Sequence, residues 1–320
     1  MPTQPDLRLL DREAALADNA DAIRATDALL LEVINRATSM LGKWYDRTGW
    51  YEGFGPADGE QPAKERSREE VRTEFAVMSI METMVSTLDG IRVLLANSCD
   101  DVARPLLRSV FDCDLALRYI HAIPSLGHKR ARAWFTGWAF DRQMANSWLD
   151  PESPKGKSFR RGTDYEMNEM FANKSKLDAF RNVRRLMSEG ESAEMYQEYE
   201  ALPRPRFWHA LDGGPLNTKE LARMVERGSL YEMMYADWSQ RLHGVQVREG
   251  AFREGNSILP VGYWAAELGE DALRILFENH FPKGPEHYEW LASDFGPLLG
   301  ELVKLTVRAA SDANDDLPSK

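Results

Sequence analysis

The chain has only two cysteines, Cys99 and Cys113, among its 320 residues. Two thiols in a chain of this length make no disulfide framework, and both are expected to be reduced and buried. No apolar run approaches the roughly 18 residues of a membrane span, so no membrane partner is expected. No apolar stretch follows a basic start, so no secretory signal is read and the expected location is cytoplasmic. Runs of alternating β-branched residues are missing too, which excludes a sheet as the main architecture. Basic residues are in deficit, with 40 Lys and Arg against 51 Asp and Glu and a net charge of −11. Such a chain lacks the footprint for bulk binding to duplex DNA, which works by displacing counterions from phosphates. One segment departs from this balance: residues 155–185 hold nine bases against four acids. A solvated helix face explains such a run, and a phosphate-binding stripe is the sharper alternative.

Several chemical signatures are also absent. The sequence contains no H-E-x-x-H, paired C-x-x-C, phosphate-binding glycine loop or G-x-S-x-G elbow. Glu74, Glu82 and Asp89 fall on one side of a helical stretch, as carboxylates of a dimetal bundle do. Those bundles also need Glu-x-x-His pairs, and no Glu here has a His three residues after it. No metal site and no cofactor is therefore expected.

What the chain does have is apolar residues at helical spacing, within a hydrophobic fraction of 43%. Leu29, Leu30, Val33, Ile34, Ala37 and Leu41 predict a first helix over about 11–41, ended by Gly42. Ser67 and Glu70 form a capping box for a second helix, carrying Met78, Met81, Met84, Leu88 and Ile91. Its strong hydrophobicity predicts a central position. Further helices are predicted over about 100–123 with Pro105 in the first turn, 127–149, 192–201, 218–227 capped by Thr218, 230–243, 263–278 and 286–310. Gly228 and Gly244 read as helix stops. The fold class is all-α, an antiparallel multi-helix bundle with a helical and loop elaboration around 150–217. The expected organisation is an N-terminal helix and loop over 1–62, a main bundle over 63–310 and a frayed acidic tail over 311–320.

Two blocks carry a more specific pattern. Ala103-Arg104-Pro105-Leu106-Leu107-Arg108-Ser109-Val110-Phe111-Asp112 opens one helix. Tyr231, Tyr235, Ser239 and His243 follow at steps of four, on one drifting helix face. Together they resemble an uncharacterised family of bacterial helical proteins that pairs an A-R-x-L-x-R-S-x-[FL]-[ED] helix with a Y-x3-Y-x3-S-x3-H helix. Asp112 stands where Glu is commoner, and Trp238 crowds the face beside Ser239. The resemblance implies an all-α fold and no assigned activity. Such proteins look distantly like the HEPN superfamily, many of whose members are metal-independent RNases of defence and toxin systems, commonly with the site at a homodimer interface. The superfamily signature is Arg-x4–6-His. His243 does not fit it; Arg204 with His209 and Arg274 with His280 do, at a frequency expected by chance.

Two readings of the polar face follow. In one, Tyr231, Tyr235, Ser239 and His243 are core residues whose polar atoms satisfy one another or a neighbouring helix, with Asp112 or Arg108 as partner. In the other, Arg108, Ser239 and His243 are catalytic and Arg104, Asp112, Tyr235 and Arg223 bind the ligand. Arg104 and Arg108 could fork onto a phosphate, and a carboxylate-held His243 could act as general acid or base. The functional expectation is a defence- or stress-related effector acting on RNA or a nucleotide, as a homo-oligomer. The alternative is a non-catalytic helical module that binds a small molecule or a partner protein.

Overall fold

The computed structural model describes residues 16–48, 68–150, 152–162, 181, 192–235, 258–281 and 286–315. Among the described residues there is no strand; the fold is an all-α multi-helix bundle. Its elements are α1 (Ala20–Thr48), α2 (Arg68–Leu95), α3 (Asp100–His121), α4 (Gly127–Ala145), α5 (Pro154–Gly162), α6 (Ser192–Ala201), α7 (Thr218–Met224), α8 (Ile258–His280), α9 (Glu286–Trp290) and α10 (Gly296–Asp315).

Helix α2 is central, as its composition predicts. It packs against α1, α3, α4 and α8. Ala76, Val77, Ile80, Met81, Met84, Leu88, Ile91 and Leu95 are almost fully buried along it. Its methionines are unbranched and adapt to four neighbours at once. Helices α1 and α8 approach each other closely at two glycines. A Cβ on Gly262 would lie 2.3 Å from Thr26 Cγ2, and one on Gly269 would lie 2.7 Å from Val33 Cγ1. The missing side chains let the two backbones meet.

Several boundaries differ from expectation, each for a local reason. Helix α1 runs through Gly42 to Thr48 because Trp44, fully buried, anchors the extra turn in the core. The break between α2 and α3 is a left-handed turn at Ser98, φ 53°, closed by the Cys99 amide donating to Leu94 O at 2.9 Å. Helix α3 starts at Asp100, so Pro105 sits inside it rather than in its first turn. The carbonyl of Asp101 therefore has no helical N–H to accept. Asp100 and Asp101 instead favour the positive N-terminal end of the helix dipole. Asn217, not Thr218, caps α7: its side chain accepts from Glu220 N at 2.9 Å, while Glu220 Oε2 accepts from Leu216 N at 2.8 Å. Gly228 opens the short turn Gly228–Leu230 instead of ending a helix, and the chain passes into a π turn at Tyr231–Tyr235. Another π turn, Leu291–Phe295, joins α9 to α10. Helix α10 continues to Asp315, through the first residues of the expected tail.

The region after α4 builds a second, smaller apolar cluster. Phe140, Tyr199 and Leu211 are its largest buried members, drawn from α4, α6 and the tight turns Trp208–Gly213. The basic stretch enters the described residues mainly as α5, where Lys155, Lys157, Arg160 and Arg161 are all exposed.

Candidate functional site

Helix α3 turns two kinds of face to its surroundings. Leu107, Val110, Phe111, Leu115 and Leu117 are buried at helical spacing. Arg104, Arg108 and Asp112, at steps of four, form a polar row beside that stripe. Arg104 Nη2 lies 4.0 Å from Asp100 Oδ2, and Arg108 Nε lies 3.9 Å from Asp112 Oδ2. Neither pair closes to hydrogen-bond distance.

Tyr235 joins this row from the π turn. The Arg108 guanidinium sits 4.9 Å from the centre of the Tyr235 ring, a cation–π contact. Tyr231 stacks on Tyr235 at 4.6 Å, and Phe111 tilts against it at 6.0 Å. Burial, with Asp112 nearby, raises the pKa of the Tyr235 hydroxyl against the opposing charge of Arg108. The Asp112 carboxyl is crowded by surrounding protein, which pushes it up to about 6 against the opposing charge of Arg108. Its side chain nevertheless keeps 47% of its surface open to solvent.

Arg104, Arg108, Asp112 and Tyr235 are thus brought together. Arg223, exposed on α7, pairs with Glu232 at 3.0 Å, and Lys219 joins the same carboxylate at 3.1 Å. Ser239 and His243 lie outside the described residues. The two Arg-x4–6-His matches make no joint site. Arg204 is exposed, whereas His209 is buried with Nδ1 2.7 Å from Pro215 O. Arg274 pairs with Asp271, and His280 contacts His121.

Sequence reasoning passed over a second polar constellation, inside the bundle. Asp114, fully buried on α3, accepts from Arg118 Nε at 2.9 and 3.1 Å and from Arg227 Nε at 3.3 Å. Arg118 Nη2 also pairs with Asp271 on α8 at 2.9 Å; Arg227 and Arg274 hold the same carboxylate. Arg274 lies 3.9 Å from Glu270, which faces the buried His287 at 3.6 Å. Burial drives Asp114 above the ordinary carboxylate range, opposed by Arg118 and Arg227. Burial likewise lowers Arg227. These are the opposite directions expected of charges taken together out of water. Three guanidinium groups and two carboxylates share one set of hydrogen bonds, which fixes how α3, the 225–227 turn and α8 dock. One sequence signal could have exposed it: Asp271 and Arg274 interrupt a stripe otherwise made of Ala265, Leu268, Ala272 and Ile275.

A family model described as "Family of unknown function (DUF5677)" matches residues 74–247. No curated protein and no solved structure matches the chain. No helix among the described residues is long and apolar enough to cross a membrane.

Proposed function

Because the chain belongs to this family, whose model carries no activity, we propose from the geometry that the Arg104–Arg108–Asp112–Tyr235 face binds a phosphate group of RNA or a nucleotide. The observation that carries this reading is the looseness of the two ion pairs. Two guanidinium groups one helical turn apart stand 4.0 and 3.9 Å from their carboxylates, so a phosphate could take up their donors in fork geometry. Tyr235 holds Arg108 in place through its ring. The exposed bases of α5 supply a local positive surface on an otherwise acidic chain.

Ser239 and His243 follow Tyr235 at steps of four in the sequence. In this reading His243 is the general acid or base of a metal-independent phosphodiester reaction, with Ser239 orienting it, in a defence- or stress-related effector that works as a homodimer. A second reading is a non-catalytic module for a partner protein; the exposure of Leu216, Met224 and Met233 around α7 favours it.

Anisotropy of a labelled single-stranded RNA, with nucleotide competition, separates the two. Salt-sensitive binding by the native protein is expected, weakened at least about tenfold in Arg108→Ala and Arg104→Ala with helicity unchanged. His243→Ala should keep binding and lose cleavage. Absence of binding to both probes, or Arg variants that bind as the native protein does, rejects the phosphate reading and leaves the module.

A further inference from the structure

Helices α3 and α8 each end on a histidine, and the two meet. His121 Nε2 lies 3.2 Å from His280 Nε2, with ring centres 4.9 Å apart and planes at 76°. The pair shares no residue with the Arg104–Arg108 face. We propose that His121 and His280 form a two-histidine site for a divalent first-row transition metal ion, Zn2+ or Cu2+.

The spacing meets the criteria of a bent hydrogen bond and also suits a shared ion. With each Nε2 about 1.1 Å from its ring centre, a straight N–H···N bond would hold the ring centres roughly 5.5 Å apart. The observed 4.9 Å means that the nitrogens are bent off that line. An ion about 2.05 Å from both nitrogens would see them at an angle of about 100°, close to tetrahedral, with ring centres about 5.0 Å apart. The rings therefore stand where two ligands of one tetrahedral ion stand.

Two surrounding features agree. Both residues close their helices, at the ends where the helix dipole favours positive charge. Both histidines are only part-buried, which leaves water a path to complete the coordination. Among the described residues no third His, Cys, Asp or Glu completes a set of three. A two-histidine set gives modest affinity compared with a closed structural site.

Trp44 provides the readout. Its ring is fully buried and lies 4.5 Å from the His280 ring, so bound Cu2+ should quench it. Full-length protein without a histidine tag is titrated with CuCl2 while tryptophan emission is followed, and ZnCl2 is then added as competitor. Saturable quenching near one equivalent, reversed by Zn2+, is the expected result. The double variant His121→Gln/His280→Gln should lose at least about tenfold in apparent affinity, and His128→Gln should titrate as the native protein does. If the double variant fails to fold, as read by circular dichroism, the single variants His121→Gln and His280→Asn each carry the same expectation. Quenching that never saturates, or that is equal in native protein and folded pair variants, overturns the assignment.

Discussion

Arg227 reaches Asp114 across 113 positions of sequence, its Nε donating to Oδ2 at 3.3 Å. The acid is fully buried and the arginine side chain is 23% exposed. A turn between α7 and the Tyr231–Tyr235 segment is thereby tied to the inner side of α3. Arg104 and Arg108 lie on a neighbouring strip of the same helix, with side chains 16% and 28% exposed.

Removing Asp114 should cost more than any surface ion pair. Asp114→Ala removes the fully buried acceptor of Arg118 and Arg227 and leaves Asp271 alone against three guanidinium groups, and breaking a buried pair this way costs about 3–5 kcal/mol. Asp21→Ala, which removes an exposed acid paired with Arg24, should change stability by less than about 1 kcal/mol. Urea unfolding of both variants checks the contrast. Equal losses would mean that the network is replaceable.

The α1–α8 contact should tolerate no side chain at its glycines. Gly262→Ala and Gly269→Ala place a methyl group against Thr26 and Val33, and overpacking of this kind costs about 1–3 kcal/mol. Gly300 in α10 has open space around it, so Gly300→Ala should stabilise by about 0.5–1 kcal/mol through helix propensity. Melting temperatures of the three variants should split in sign.

Asp112 should make a pH-dependent contribution. Its carboxyl is raised from 3.8 to about 6 in the fold, so the folded protein holds a proton there that the unfolded chain has released. Folding stability from this group is complete below about pH 4, falls as pH rises to about 6, and is level above that. Asp112→Asn removes the proton difference, so the variant should gain on the native protein between pH 4.5 and 7 in paired denaturant titrations. The gain should be small, because half of the side chain faces water. A gain in the opposite direction would mean that Arg108 dominates over burial.

His287 is 1% exposed, and among the described residues neither of its ring nitrogens has a hydrogen-bond partner. It stacks between Phe277 at 5.1 Å and Trp290 at 5.7 Å. An apolar ring should fill this slot without unsatisfied nitrogens, so His287→Phe should melt within about 1 kcal/mol of the native protein or above it. A loss of several kcal/mol would show that the 3.6 Å approach to Glu270 is a stabilising charged pair.

The helices were legible in the sequence because their apolar stripes repeat over many turns, as Met78 to Leu95 do on α2. Ends set by tertiary packing were not. The turn at Trp44 persists because the indole is buried, and Gly228 opens a turn where glycine usually closes a helix. In the candidate site, the helical repeat placed Arg104, Arg108 and Asp112 on one row, and the docking of Tyr235 against Arg108 agrees with one polar face. The inner network stayed hidden because Asp114 and Arg118, four residues apart, have the spacing of an ordinary exposed helix pair. Only Arg227 and Asp271, distant in sequence, reveal that the pair is inside.

Helices α1 and α8 both lie outside the stretch matched by the family, yet Leu29, Leu30, Val33 and Trp44 of one and Ala265, Ala272 and Leu273 of the other are completely buried. The stretch matched by the family is therefore smaller than the packed core of the described residues. A fragment cut at residues 74 and 247 would lack Asp271 and bare the apolar flank of α2 to water. Its insolubility would say nothing about the whole chain, and inheritance is a poor guide to where this molecule can be divided.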